Sequence, residues 1–131
     1  MIDDGRPLFL QIAETIEESI LDGTLPEESQ APSTNELAAF YRVNPATAAK
    51  GVTVLTDKGI LLKRRGIGMF VAAGARALLL AERRTAFARR YIDPLIAEAR
   101  TLGLDADDLA SLLRERAQHA EDHAPTEGSP A

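Results

Sequence analysis

Cysteine is absent from these 131 residues. That excludes a disulfide framework and a thiolate zinc site, and makes a reducing cytoplasm the natural setting. No apolar run reaches the length of a membrane span, and the chain opens MIDDG rather than on basic residues and an apolar stretch. Neither a spanning helix nor a signal peptide is expected. Histidine is almost as scarce, and both copies, His119 and His123, lie near the C-terminal end. A Ser/His/Asp set therefore has no setting. Gly66-x-Gly68 lacks the third glycine and following helix of a dinucleotide loop, and no Walker loop is present. The two histidines stand four apart beside Glu121 and Asp122, yet such tail residues are usually inert, so no metal and no cofactor are expected. With no catalytic constellation in view, an enzyme is not expected.

What is present is the composition of a globular protein, with 45% hydrophobic and 27% charged residues. The length suits one domain, or a small domain with an appendage. A net charge of −5 argues against a nucleic-acid partner until it is divided along the chain. Residues 1–29 carry one basic and eight acidic side chains. Residues 30–75 carry six basic (Arg42, Lys50, Lys58, Lys63, Arg64, Arg65) and two acidic, and residues 76–131 carry eight basic and ten acidic. The positive charge is concentrated in the middle, as docking onto phosphates requires.

That middle stretch, Pro32 to Val71, reads as two short helices followed by a hairpin. Ser33 with Glu36 forms a capping box, and Leu37, Ala38 and Tyr41 give the first helix an apolar side. Val43 closes a turn, and Asn44-Pro45 opens a second helix as N-cap and first helical residue. Ala48, Val52 and Leu55 recur at helical spacing up to Gly59. Ile60-Leu61-Leu62 and Met69-Phe70-Val71 are β-prone runs joined by a basic turn over residues 63–68. Helix, turn, helix and a basic β-wing is the layout of a winged helix-turn-helix module.

Before it, Pro7 reads as a first helical residue, with Leu8, Ile12, Ile16 and Ile20 down one face and Gly23 after its end. After it, a helical pattern runs from about Ala75 to Leu102 with Pro94 inside, so a kink or break is expected near residues 90–94. Gly103 ends this pattern, and Asp105 with Asp107 and Asp108 starts a last helix. From about His119 the chain is polar and small, and disorder is expected. The expected fold is mainly α with a small β-hairpin: a winged helix-turn-helix domain over 1–73, a two-helix segment over 74–118 and a tail over 119–131. Two helices cannot enclose a core alone. Leu80, Phe87, Tyr91, Leu95, Leu102, Leu109, Leu112 and Leu113 are therefore assigned to a dimer interface, which also suits reading of a palindrome. A small apolar effector could sit at that interface, although no polar cluster marks its chemistry.

The chain resembles the N-terminal DNA-binding domain of the GntR family of bacterial transcription regulators over roughly residues 7–71. The resemblance is carried by Pro7-Leu8-Phe9-Leu10-Gln11-Ile12, Gly23-Thr24-Leu25, Pro32-Ser33-Thr34, Glu36-Leu37-Ala38, Val43-Asn44-Pro45, Thr47, Leu55, Gly59-Ile60, Arg65-Gly66 and Gly68-x-Phe70-Val71. The short remainder after the wing, and the Val-Asn-Pro turn, look like the YtrA-like subgroup, whose two-helix segment dimerises. The resemblance implies DNA contacts at Ser33, Thr34, Asn44, Thr47, Arg65 and Gly66, with Arg64 beside them on the wing. Helical spacing puts Lys50 on the same side. The chain departs from the family at Asn35, where Arg is usual and a phosphate contact is weakened or lost, and at Ala46, which replaces a polar residue. Ala48 and Val52 stand for the usual Val and Tyr. With Ala46 and Ala49 flanking Thr47, thymine-methyl contacts and DNA shape are expected to carry more of the specificity than bidentate base reading.

The function expected from all this is a cytoplasmic, homodimeric, sequence-specific repressor that binds double-stranded DNA. The subgroup suggests transporter-type target genes and its own operon. The alternative is a winged-helix interaction module without specific DNA binding, which Asn35, Ala46 and the acidic first helix favour and the basic wing opposes.

Overall fold

A computed structural model describes residues 5–123. The elements run α1 (Leu8–Leu21), α2 (Thr34–Tyr41), α3 (Pro45–Asp57), β1 (Leu61–Arg64), β2 (Gly68–Val71), α4 (Ala75–Phe87), a π-helical turn (Ala88–Ile92), α5 (Asp93–Thr101) and α6 (Ala106–Asp122). The chain is mainly α with one antiparallel hairpin, in two compact units that divide after Thr85.

Local signals account for the helix ends of the first unit. Ser33 Oγ accepts from the Glu36 N–H at 3.0 Å while the Glu36 carboxylate accepts from the Ser33 N–H at 2.8 Å, so both halves of the capping box form. Asn44 Oδ1 accepts from the Ala46 N–H at 2.8 Å, and Pro45 is the first residue of α3. Pro7 differs from expectation: its ψ of 136° is extended, which makes it the N-cap, and α1 begins at Leu8. At the other end of α2 the turn is made by Arg42 in the left-handed region, φ 56°.

Ile12, Ile16 and Ile20 of α1 are buried, with Leu37 and Ala38 of α2, Ala48, Val52 and Leu55 of α3, and Ile60, Leu61 and Val71 of the hairpin. Burying each large side chain contributes roughly 1.5–3 kcal/mol before entropy is set against it. Leu8, read as part of the same stripe, is 40% exposed because it sits at the open end of α1. Gly51 of α3 is buried against Phe9 and Ile12 of α1. A Cβ there would lie 2.9 Å from the Phe9 carbonyl oxygen, which belongs to backbone and cannot swing aside. Ala75 and Leu79 of α4 are also buried in this core.

The hairpin is longer and its turn tighter than the β-prone runs suggest. Arg64 pairs with Gly68, leaving Arg65, Gly66 and Ile67 as the turn. Residues 28–31 run along the far side of β2, where Gln30 forms a single antiparallel bridge with Phe70 while the sheet itself stays two-stranded. The Ala31 N–H donates to the Met69 carbonyl at 2.8 Å, the Glu28 N–H to the Val71 carbonyl at 2.8 Å, and the Val71 N–H to the Ser29 carbonyl at 2.9 Å. The sequence there, ESQA, carries no β signal; it is drawn to the open edge of β2, whose backbone groups find partners in it.

α4 is held against this unit by charge. The Glu27 carboxylate accepts from the Gly74 N–H at 2.8 Å and the Arg76 N–H at 3.1 Å, satisfying orphan donors at the start of α4 from a distant loop. Those two hydrogen bonds hold its carboxyl below the ordinary value. Arg76 Nε donates to the Leu21 carbonyl at 3.2 Å, and Arg83 pairs with Glu18. Lys58, the C-cap of α3, reaches Glu17 of α1 at 2.5 Å and Glu82 of α4 at 2.8 Å. Burial disfavours its ammonium, but the two carboxylates more than offset that and leave its pKa raised.

In the second unit the expected interruption before Pro94 is a π-helical turn at Ala88–Ile92, closed by an Asp93 N–H to Ala88 carbonyl bond. Pro94 has no N–H to continue the ordinary ladder, and one wider turn absorbs the mismatch. Asp105 and Asp108 form a reciprocal capping box at the start of α6, with bonds of 2.9 and 3.0 Å. α6 continues through His119 to Asp122, so the start of the expected disordered tail is helical; residues 124–131 lie outside the described residues. Among the described residues of this unit only Ala99 is buried.

Two outcomes test these contacts. Gly51→Ala should lower the free energy of unfolding by about 1–3 kcal/mol through overpacking, although Ala is preferred to Gly by about 1 kcal/mol in an open helix; urea titration measures it. Folding lowers the Glu27 pKa, so its contribution is complete above the ordinary value of 4.5 and is lost as pH falls through the lower folded value. Glu27→Gln should therefore flatten the decline of the urea midpoint between about pH 5 and pH 3 relative to wild type.

Candidate nucleic-acid interface

Three exposed segments carry the residues singled out in the sequence. Ser33, Thr34 and Asn35 form the first turn of α2, where Ser33 and Asn35 are exposed and Thr34 is half-buried. Ser33 Oγ accepts from the Glu36 N–H through one lone pair, which leaves its hydroxyl proton available to donate to a phosphate oxygen. The N–H groups at the start of α2 add a favourable partial positive charge.

Asn44, Ala46, Thr47 and Lys50 lie on the first turns of α3, exposed apart from half-buried Thr47. Asn44 uses its carbonyl oxygen as the cap, which leaves its amide N–H groups turned outward as donors. Lys50 behaves differently from a solvated lysine. Its Nζ sits 4.3 Å from the centroid of the Phe9 ring on α1. This cation–π contact holds the ammonium beside the helix and limits the orientations from which it can meet a phosphate.

The wing shows the same device. The Arg64 guanidinium lies 4.5 Å from the Phe70 ring centroid, so Arg64 is braced on the hairpin while Arg65 and Gly66 occupy its tip. Lys58, counted with the basic middle of the chain, is bound by Glu17 and Glu82 and is part of the scaffold. The acidic first helix is likewise engaged internally: Glu14 pairs with Arg6, Glu17 with Lys58 and Glu18 with Arg83. Its charge is partly spent on holding the unit together.

Sequence reasoning placed the three segments and missed what orients them. Phe9 and Phe70 carry motif identity but no visible link to Lys50 or Arg64, since each pair is made between elements. Gln30 was missed as well: its Nε2 donates to the Ile67 carbonyl in the wing turn at 3.1 Å. A groove of about 730 Å³ between α1, the loop after it and α2, walled by Ile16, Leu25, Leu37, Phe40 and Tyr41, also had no sequence signal, because three separate segments build it.

The residues assigned to dimerisation fall into two groups. Leu80, Leu95 and Leu109 are half-buried, whereas Phe87, Tyr91, Leu102, Leu112 and Leu113 are exposed, Leu102 by 63% and Leu113 by 57%. Phe87 and Tyr91 lie one turn apart with ring centroids at 5.5 Å. No helix among the described residues is long and apolar enough to cross a membrane.

Comparison with known proteins bears on these observations. Residues 8–71 match the bacterial regulatory proteins of the gntR family. The HTH-type transcriptional repressor YtrA of Bacillus subtilis is 28% identical over 111 residues, covering 85% of each chain. A crystal structure from Bacteroides thetaiotaomicron, described as a transcriptional regulator of the GntR family, is 30% identical with a TM-score of 0.71, over 86% of this chain and 97% of that one. The DNA-binding domain of AraR, solved with operator ORX1, is 27% identical with a TM-score of 0.52, over 55% of this chain and 93% of that domain.

Proposed function

The chain belongs to the GntR family of bacterial transcription regulators, and from that premise we propose that it is a cytoplasmic, homodimeric repressor that binds a palindromic operator. Family membership makes it a DNA-binding regulator with a helix-turn-helix domain rather than an enzyme. The finer reading is supported by one observation above all: the start of α2, the first turn of α3 and the basic tip of the wing are exposed, while the apolar faces of the same elements are buried.

In this mechanism Ser33, Thr34 and Asn35 set the register on the phosphate backbone and Arg64, Arg65 and Gly66 approach the minor groove or its phosphates. Asn44, Ala46, Thr47 and Lys50 enter the major groove. Ala46 and the Thr47 methyl favour thymine contacts over bidentate hydrogen bonding. Phosphate neutralisation releases counterions, which makes the affinity steeply dependent on salt. The operator-bound dimer then occludes a promoter. Likeness over nearly the whole length to YtrA, a repressor by name, supports repression and the YtrA-like subgroup. Transporter-type genes and the protein's own operon are the proposed targets.

Dimerisation through the second unit is supported by its exposed Phe87, Tyr91, Leu102, Leu112 and Leu113 beside a single buried side chain, Ala99, among the described residues. A twofold pairing of two such units would cover these faces and set two reading heads at a fixed spacing. The boundaries proposed are a DNA-binding domain over 1–73 and a dimerising segment over 74–118. Engagement of the acidic residues of α1 within the fold removes one argument for an interaction module that ignores DNA.

Fluorescence anisotropy with DNA from upstream of its own gene tests the reading. Competitor-resistant binding at two chains per site is expected, and Arg65→Ala should reduce the log–log salt slope by about one. Binding no tighter than to scrambled DNA, from this region and from a random pool alike, would sink it. Leu113→Glu should shift the protein to monomer in sedimentation velocity and weaken DNA binding, with the winged unit still folded.

A further inference from the structure

We propose that Gln30 is a positioning residue for DNA binding: it holds the tip of the wing in a fixed place relative to the start of α2. The inference rests on the reading of the wing as a DNA contact. Gln30 lies in the loop before α2 and forms an isolated antiparallel bridge with Phe70 of β2. Its Nε2 donates to the Ile67 carbonyl at 3.1 Å, inside the three-residue turn that carries Arg65 and Gly66. The main-chain bonds from Ala31 to Met69 and from Val71 to Ser29 hold the loop segment on which this side chain is mounted. Beyond the Arg64–Gly68 pair, the turn's own main-chain bond is that of the Ile67 N–H to the Arg64 carbonyl, 2.9 Å. The Gln30 amide ties the turn to a second element.

Gly68 is matched to this arrangement. Its φ of 137° lies outside what other residues readily adopt, and a Cβ there would lie 2.7 Å from Gln30 Nε2. The missing side chain leaves the space in which the glutamine amide crosses the hairpin. Three residues after Gln30, Ser33 opens α2 with its capping box. One short stretch therefore joins two of the three exposed segments, fixing the span between a phosphate contact at α2 and the arginine of the wing. A two-stranded hairpin is marginally stable by itself, and a wing that must be ordered on binding loses affinity to conformational entropy. A neutral donor on the neighbouring loop segment removes much of that loss without adding charge.

The test uses the full-length protein and the duplex that wild type selects from a random-sequence pool. Wild type, Gln30→Ala, Gln30→Glu, Arg65→Ala and the Gln30→Ala/Arg65→Ala double variant are compared in binding, and the first three also by amide hydrogen exchange without DNA. Glu retains the size of Gln but has no donor at neutral pH. Faster exchange of the Ile67 amide is expected in both Gln30 variants, with the Ile16 and Leu55 amides and the thermal midpoint unchanged. Gln30→Ala should bind about threefold to tenfold more weakly, the worth of one hydrogen bond. The double variant should bind no more weakly than Arg65→Ala, because Arg65 is the cation carried by the turn that Gln30 holds, whereas Arg64 is positioned separately by its strand pairing and the Phe70 ring. Ile67 exchange at the wild-type rate in both variants would overturn the proposal. So would a loss that adds in full to that of Arg65→Ala, or a general rise in exchange with a fall in midpoint. Should wild type select no duplex, the regulator reading itself fails, the role of Gln30 in DNA binding falls with it, and exchange still reports whether Gln30 holds the wing.

Discussion

The close approach of α1 to α3 at Gly51 is the contact on which the surface proposed to meet DNA depends. Phe9 takes part twice. Its carbonyl oxygen occupies the space a side chain at Gly51 would need, and its ring lies under the ammonium of Lys50, the preceding residue of α3. The same approach therefore sets the depth at which α3 seats on the core and the resting position of a basic side chain at its outer face. Interiors pack at crystal-like density, so a shift of a few tenths of an ångström here is transmitted to the whole of α3 rather than absorbed locally.

Electrostatics divides the work in a way the net charge conceals. A chain of net charge −5 is a poor partner for DNA only if its carboxylates face the duplex unopposed. Glu17 is largely buried and shares Lys58 with Glu82, Glu18 pairs with Arg83, and Glu27 serves backbone N–H groups at the start of α4. These carboxylates hold α4 to the winged unit. Of the cations left toward the outside of the winged unit, Lys50 is braced on Phe9 and Arg64 on Phe70. Bracing restricts the rotamers of long side chains before binding, which lessens the entropy lost when they meet phosphate.

The loop between α1 and α2 does more than connect them. Glu27 caps α4, residues 28–31 hydrogen-bond to β2, Gln30 reaches the wing turn, and Ser33 caps α2, all within seven consecutive residues. A stretch with few apolar side chains thereby ties together the start of α2, the wing and the helix that leads to the second unit. It does so through hydrogen bonds, which are directional and so specify positions better than apolar contact does.

Much of this was legible in the residue order. The Ser33–Glu36 box, the Asn44-Pro45 start, the isoleucines of α1, the basic hairpin and the break before Pro94 all follow from chemistry that acts within a turn or two of chain. Such interactions need no knowledge of distant residues. The family motifs likewise mark the three exposed segments to which the proposal assigns DNA contact. Only the tertiary structure decided the rest: the bridge from residues 28–31 to β2, the glycine at the α1–α3 contact, the seating of Ala75 and Leu79 in the core, and the attachment of Lys50, Arg64, Lys58 and Gln30 to Phe9, Phe70, Glu17 with Glu82, and Ile67. Each of these pairs residues from separate elements, and their choice of partner depends on where packing places both backbones. Spacing along the chain records caps and faces; which charge, ring or carbonyl a side chain meets across the core is settled only when the core closes.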